Sequence, residues 1–233
     1  MRPTLVLCPA LACDQRLWTH QIEGLSDLAE IQVADLTQDD SLTGMAARLL
    51  ATVPGDFFLA GSSLGGYVAF EVMRQAASRV RGLVLVGTSA APDDEAKAAG
   101  RNEAIAKAQA GGFHEVLEQL LPKLVVDYET NDEKRRLLQE MAQRVGASAF
   151  VRQQTAILRR PDSRPLLASL NCPVQLIFGD SDVPTPPVIG ETLSQQLPVA
   201  ELDILPDCGH LATLDQPGDT TRCMREWLLA QLG

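Results

Sequence analysis

Residues 61–65 read Gly-Ser-Ser-Leu-Gly and lie between a short apolar run, residues 57–60, and a helix-like stretch that starts near Leu64. A serine hydroxyl is a weak nucleophile unless it is held rigidly beside a group that can take its proton. A sharp turn from a strand into a helix would expose Ser63 for that role, and flanking glycines would allow the close backbone approach that such a turn needs. An ordinary Gly/Ser turn can have the same letters, so the interpretation depends on whether an acid and a base follow.

Carboxylates and a histidine do follow two later apolar runs. Asp180 and Asp182 come directly after residues 174–178, and His210 comes shortly after residues 200–205. Because the carboxyl ends of parallel strands present functional groups at one edge of a sheet, we expect these loops to converge. Asp182 stands further into its loop, where it could reach an imidazole, so it is the predicted acid. Asp180 is predicted to support the turn by local hydrogen bonds.

The choice of general base is narrow because the chain has three histidines. His20 falls in a helix-like N-terminal stretch and His114 in a mixed helical region, where a partly exposed helix histidine is the ordinary interpretation. His210 follows a predicted strand and lies downstream of the acid, so it is the predicted base. The histidines are far apart and no pair has the spacing of a helical metal site. We therefore expect neither a metal nor a cofactor.

Three segments carry a pattern: Gly61-Ser62-Ser63-Leu64-Gly65-Gly66, Gly179-x-x-Asp182-x-x-x-Pro186, and Gly209-His210 followed by Asp215-x-Pro217. Together these segments resemble the α/β-hydrolase fold superfamily, and within it small serine hydrolases of the carboxylesterase type, over nearly the whole chain. The resemblance implies a nucleophile at Ser63, a general base at His210 and an orienting acid at Asp182.

A serine hydrolase also needs hydrogen-bond donors for the oxyanion that forms on the attacked carbonyl. The Leu64 amide would lie at the positive end of its helix, which favours an anion. The second donor is expected from the loop after the first strand, where alignment with the resembling families, counted back from Trp18, gives the Leu11 amide. Pro9 and Ala10 stand where those families have His-Gly. Proline has no N–H to donate, and an ordinary strand-ending turn is the alternative interpretation of this loop.

The periodicity of apolar residues predicts an α/β fold with a mainly parallel, doubly wound sheet. Strands are predicted at residues 4–7, 31–33, 57–60, 82–86, 174–178 and 200–204. Helices are predicted at residues 42–53, 64–77, 188–196 and 220–232. We expect the α/β-hydrolase core to comprise residues 1–90 and 168–233.

Residues 91–167 interrupt the alternation, because they contain helix-like pieces at 94–110, 113–124, 132–144 and 148–158 but no convincing strand. Since this insertion precedes the acid-bearing strand, it is predicted to form a helical cap over the site. The apolar residues that could line an acyl pocket are Leu11 and Trp18 from the core, and Phe113, Leu117, Leu120, Leu121, Val125, Leu138, Met141 and Phe150 from the cap. Helical stripes of this kind more often form the packing face of the cap itself.

Composition agrees with one globular enzyme domain of 233 residues, 45% of them hydrophobic. A net charge of -10 argues against nonspecific binding to nucleic acid or to an anionic membrane. The apolar runs fall short of the roughly 20 residues that a membrane-spanning helix needs. The five cysteines are scattered and lack C-x-x-C spacing, which predicts that the protein is located in the reducing cytoplasm. The sequence does not distinguish a monomer from a homodimer.

The residues favour hydrolysis of a small carboxylic ester, with a methyl ester or a thioester as candidates, through an acyl-enzyme on the predicted triad. An aromatic content of 4% favours an aliphatic over an aromatic substrate. One alternative is cleavage of a carbon–carbon bond in a ring-fission-type diketone by the same residues. Another is a noncatalytic protein that only binds a ligand in the capped pocket, which covalent labelling of the serine would distinguish from an enzyme.

Overall fold

The computed structural model describes residues 2–233, and its sheet confirms the predicted α/β architecture. The strands within these residues are β1 Thr4–Cys8, β2 Glu30–Val33, β3 Phe57–Ser62, β4 Val80–Val86, β5 Val174–Gly179 and β6 Ala200–Leu205. They form one sheet in the order β2-β1-β3-β4-β5-β6, and every neighbouring pair is parallel. All strands therefore end at the same edge of the sheet, and each predicted strand lies inside an observed one.

Helices connect the strands. They are α1 Thr19–Leu25, α2 Leu42–Thr52, α3 Leu64–Ala76, α4 Glu95–Gln109, α5 Phe113–Leu120, α6 Asp132–Leu158, α7 Arg164–Leu167, α8 Pro187–Gln196, α9 Ala212–Asp215 and α10 Pro217–Leu232. The last helix begins before the predicted start at residue 220, because Pro217 suits the first turn, where no N–H partner is needed. Across residues 2–233, no helix has both the length and the apolar character needed to cross a membrane.

The sheet is buried on both faces. On one face Phe57 and Leu59 of β3 pack in the cluster that includes Val68 of α3. On the other face Phe58 packs against Trp227 of α10, with the rings edge to face and their centroids 5.7 Å apart. Strands covered on both sides read as continuous apolar runs rather than as an alternating pattern. This explains why the strands were recognisable from their apolar runs.

Between β4 and β5, residues 87–173 contain helices α4 to α7 and no strand. Helix α6 runs through both of the pieces predicted at 132–144 and 148–158. Its break lies at Gly146, where φ is 77°, a conformation that glycine adopts without steric cost. The helical content of this interval agrees with the sequence, and its division into a separate cap remains a prediction.

Two contacts tie this helical insertion to the loop after β6. The Leu211 amide donates to the Leu124 carbonyl at 2.9 Å. Lys134 of α6 forms a 2.7 Å ion pair with Asp215, whose carboxylate also accepts the Gly209 amide at 2.7 Å. Since the Asp215 side chain is fully buried, removal of Lys134 would leave its carboxylate without a cationic partner, which is strongly destabilising. The insertion is thereby fixed at the edge of the sheet where the strands end.

The first turn of α3 approaches β1 and β3 very closely. A Cβ atom at Gly65 would overlap the backbone carbonyl of Cys8, and one at Gly61 would overlap the backbone of Gly65 and Gly66. Backbone atoms cannot move aside as the end of a flexible side chain can. Glycine is therefore required at both positions by the space available.

We predict that Gly65→Ala lowers the free energy of unfolding by about 1–3 kcal/mol or more, because the added methyl group has no room. The matched control is Gly100→Ala in α4, where no atom lies within 4 Å of the added Cβ. This change should stabilise the protein by up to about 1 kcal/mol through the higher helix propensity of alanine. Urea unfolding of both variants measures the effects, and equal stability of the two would contradict the packing argument.

Candidate active site

Ser63 forms the turn between the last residue of β3 and the first residue of α3. Its φ is 50° and its ψ is -108°, which is strained for a residue other than glycine. Such strain costs on the order of 1–3 kcal/mol and persists only where the surroundings hold it. Here the Ser63 amide donates to the Val86 carbonyl and the Thr88 hydroxyl donates to the Ser63 carbonyl, both at 2.9 Å.

The structure brings the three predicted catalytic side chains together in one hydrogen-bonded chain. Ser63 Oγ lies 2.8 Å from His210 Nε2. His210 Nδ1 lies 2.9 Å and 3.0 Å from the two carboxylate oxygens of Asp182. An ionised carboxylate can only accept, so the network assigns the proton to Nδ1 and leaves Nε2 to accept from the serine hydroxyl. This is the arrangement that a general base next to a nucleophile requires.

Thr185 is a member of this site that the sequence interpretation missed. Its amide donates to Asp182 Oδ1 at 2.8 Å and its hydroxyl donates to Asp182 Oδ2 at 2.7 Å. The same hydroxyl lies 3.2 Å from His210 Nδ1. These contacts hold the carboxylate in place where it reaches the imidazole. A hydroxyl residue three positions after an aspartate is a common local hydrogen-bonding pattern and could have indicated this contact.

Asp180 makes different contacts from Asp182. Its carboxylate accepts the amides of Asp207 and Cys208, each at 3.2 Å, and so links the loop after β5 to the loop after β6. Together with the Ser181 hydroxyl, these amides lower the pKa of Asp180 below its ordinary value, the Cys208 amide contributing most. Asp180 therefore supports the loops and does not touch the imidazole.

The other two histidines are exposed. His20 lies on the surface in α1, and His114 is paired with Glu118 on α5 at 3.4 Å. Neither forms a hydrogen bond with Ser63, Asp182 or His210. Within residues 2–233, no group of three His, Cys, Asp or Glu side chains is arranged to hold a metal ion.

Two backbone amides remain available beside Ser63. Leu64 is the first residue of α3 and so has no acceptor inside the helix for its amide. The Leu11 amide makes no hydrogen bond within the described residues, and Leu11 lines the same cavity as Ser63. Both are the amides that the sequence indicates as oxyanion donors, and that role remains a prediction.

The loop that carries Leu11 is held by a side chain from the helical insertion. The buried Gln153 of α6 accepts the Ala12 amide at 3.0 Å and donates to the Leu36 carbonyl at 3.2 Å. Ala12 has a φ of 60°, so this support holds another strained residue. No pattern in the sequence reveals this contact, because the two residues lie 141 positions apart.

A cavity of about 790 Å³ opens at the hydroxyl of Ser63 and at His210. Leu11, Leu120 and Phe150 line it, as the sequence predicts. The exposed residues Lys97 and Glu103 lie at its opening to solvent. The cavity is therefore open to solvent, and a bound molecule can extend out of it.

The structure corrects the other predicted pocket residues. Trp18 is fully buried in the core beside the sheet, and Phe113 packs on the ring of Phe150 at 5.2 Å between centroids. The remaining predicted residues, Leu117, Leu121, Val125, Leu138 and Met141, are buried in the same core cluster and do not line the cavity. The apolar stripe of α5 thus packs the insertion against its neighbours, which is the commoner use of such a stripe.

We predict that Asp182→Asn reduces kcat for p-nitrophenyl acetate by roughly 10³- to 10⁴-fold, because the amide would favour the wrong imidazole tautomer. Asp180→Asn is the matched control, since it makes the same chemical change in the same loop. It should alter kcat by less than about threefold, the size expected of a loop contact that does not touch reacting atoms. The acid assignment would be wrong if Asp180→Asn abolished turnover and Asp182→Asn preserved it.

Comparison with known proteins identifies the family of this chain. Residues 6–222 match the alpha/beta hydrolase family. Pimeloyl-[acyl-carrier protein] methyl ester esterase of Nitrosomonas europaea is 28% identical over 95% of this chain and 94% of its own length. The enzyme of the same name from Aromatoleum aromaticum is 28% identical over 94% and 95% of the two chains.

Solved structures show the same fold. A thermophilic esterase from Thermogutta terrifontis, with malate bound, has a TM-score of 0.89 and 26% identity, covering 99% of this chain and 90% of that one. The enol-lactonase of Burkholderia xenovorans has a TM-score of 0.85 and 21% identity, covering 98% and 92% of the two chains, and indicates the fold alone. The family match over most of the sequence is decisive: the chain belongs to the alpha/beta hydrolase family.

Proposed function

We propose that this protein is a serine esterase that hydrolyses the methyl ester, or a similar small-alcohol ester, of an aliphatic acyl chain. The observation that carries the proposal is the hydrogen-bonded chain from Ser63 through His210 to Asp182 at the wall of an accessible cavity. The names of the relatives, which are methyl ester esterases, support it.

The reaction begins with proton transfer from Ser63 to His210 Nε2 as the serine oxygen attacks the ester carbon. Asp182 stabilises the imidazolium that results. The Leu11 and Leu64 amides donate to the developing oxyanion, and each well-placed donor lowers the barrier by about 3 kcal/mol. His210 then gives its proton to the departing alcohol, leaving the acyl group on the serine. Water repeats the sequence on the acyl-enzyme and releases the acid.

The cavity supports an acyl chain of moderate length as the substrate. At about 790 Å³ it is larger than an acetyl group needs, and Leu120, Leu124 and Phe150 give it apolar walls. The cavity opens to solvent beside exposed residues, so the end of the substrate that does not react can remain in solvent. We therefore place the methyl ester of a pimeloyl chain first among candidate substrates, in line with the relatives' names.

We also propose a cytoplasmic location, on the basis of the cysteines. All five are free thiols, and burial raises the pKa of Cys8 to about 12. Burial, together with nearby carboxylates, raises the pKa of Cys208 to about 12 as well. Thiols of this kind stay protonated at neutral pH and react slowly. Their use as ordinary packing residues is typical of a reducing compartment.

We predict that a fluorophosphonate forms one adduct with the wild-type protein and none with Ser63→Ala, as read by intact mass. Ser62→Ala is the matched control, because the neighbouring hydroxyl is fully buried and finds no partner within the described residues. Its loss should leave labelling unchanged. The wild type and Ser62→Ala should hydrolyse methyl esters of aliphatic acids with saturation kinetics, and Ser63→Ala should not.

A folded wild-type protein that forms no adduct and hydrolyses no ester would contradict the enzyme proposal and favour a ligand-binding role. Labelling without turnover of simple esters would instead favour a carbon–carbon bond or a specialised acyl group as the target. Circular dichroism on each sample establishes that the protein is folded.

A further inference from the structure

The cavity differs in charge from the rest of the protein. The chain has a net charge of -10, yet six lysine and arginine side chains line the cavity against three aspartates and glutamates. Cavities with low-dielectric walls concentrate the field of the charges that line them. The cavity therefore favours an anionic group on the ligand that enters it.

Arg160 and Asp93 form a fixed frame on one wall. Arg160 donates to the carbonyls of Ala91 at 3.0 Å and Ile157 at 3.1 Å, and it pairs with Asp93 at 2.8 Å. Burial alone would raise the pKa of Asp93, but hydrogen bonds from Arg160 and Arg101 lower it below its ordinary value. Asp93 is thus an ionised partner, and Arg160 is occupied by structural contacts.

Arg101 is held by the same frame but keeps one amino group unused. Its Nε donates to Asp93 Oδ2 at 2.6 Å and its Nη1 donates to Gln154 Oε1 at 2.7 Å. Its Nη2 makes no hydrogen bond within the described residues, and Arg101 lines the cavity. Two fixed contacts orient the guanidinium, so the remaining donor is already in place for a ligand.

Tyr67 and Gln154 add two more donors to this wall. Tyr67 lies one helical turn after Ser63, with the Arg160 guanidinium 4.5 Å from its ring centroid. It is 6% exposed, and its hydroxyl has no partner within the described residues. Gln154 is 4% exposed, and because its oxygen faces Arg101, its amide nitrogen is free to donate. Neither atom is enclosed by protein, and both residues line the cavity, so a ligand with acceptor atoms can pair with both donors.

We infer that Arg101, Tyr67 and Gln154 form a subsite that binds a carboxylate on the acyl chain of the substrate. The inference rests on the proposed esterase function and names the class of ester: a monoester of a dicarboxylic acid. Arg101 and Arg160 share the single carboxylate of Asp93, so this ion-paired cluster carries one uncompensated positive charge. A carboxylate offers that charge a partner and also gives each free donor an acceptor.

The test compares methyl esters that differ only at the far end of the chain. Monomethyl succinate, glutarate, adipate and pimelate carry the carboxylate, and methyl alkanoates of equal length do not. For the best chain length, kcat/KM of the wild type should be roughly 10- to 100-fold higher for the monoester, the range expected of a hydrogen bond to a charged group. Equal kcat/KM for the two series would overturn the inference.

Variants assign the preference to the subsite. Arg101→Met should lower kcat/KM for the monoester by roughly 10- to 100-fold and for the neutral ester by less than about threefold. Tyr67→Phe removes only a hydroxyl and should lower the monoester value by roughly three- to tenfold. Arg159→Met is the matched control, because it removes the same charge from an exposed residue that does not line the cavity. It should change neither value.

Other outcomes have defined meanings. Equal losses on both esters in Arg101→Met and Tyr67→Phe would mean that these residues are structural, which contradicts the inference. The methyl ester of pimeloyl-pantetheine is a neutral thioester, and it serves as a further substrate for comparison with monomethyl pimelate. If the wild type prefers it to monomethyl pimelate and Arg101→Met keeps that preference, the subsite does not bind a carboxylate.

Binding measurements separate this inference from the proposed function. Calorimetry on Ser63→Ala measures binding without turnover. It should show tighter binding of the monomethyl esters of dicarboxylic acids than of methyl alkanoates of equal length. This difference in affinity should be lost when Arg101→Met is added. If this difference is present but no ester is hydrolysed by the wild type, the subsite is supported and the esterase proposal fails. If esters are hydrolysed but the difference is absent, the esterase proposal stands and the subsite fails.

Discussion

The close approach of the start of α3 to the ends of β1 and β3 is the constraint on which the site depends. Glycines at 61 and 65 leave no Cβ in the way, so the helix begins directly beside Cys8. The same approach holds Ser63 at a φ of 50°, with its amide and carbonyl both hydrogen-bonded. A single backbone arrangement thus exposes the hydroxyl and sets the unpaired amides of a helix N-terminus next to it.

The helical insertion supports the loops around Ser63. Gln153 supports the loop after β1, and Lys134 reaches the buried Asp215 behind the loop that carries His210. The insertion therefore holds two of the loops that surround Ser63. A change in its packing would affect the loop that carries Leu11 and the loop that carries His210 together, so the cavity and the three hydrogen-bonded side chains are positioned by shared contacts.

The sequence predicts the sheet and the three hydrogen-bonded side chains because their signals are local. Apolar runs identify the strands, and Ser63, Asp182 and His210 each follow one of them. Contacts between distant segments leave no such signal, which is why Gln153 was missed. Trp18 is predicted to line the pocket, but it lies fully buried in the core, where its large indole removes more apolar surface from water.

The proposed reaction requires that Ser63 becomes acylated during turnover. Rapid-quench mass spectrometry of the wild-type protein with p-nitrophenyl butyrate detects such an acyl group. We expect a burst of p-nitrophenol with a matching butyryl group on the peptide that contains Ser63, followed by steady hydrolysis. Release of p-nitrophenol with no acyl group on that peptide, or with one on another residue, would contradict it.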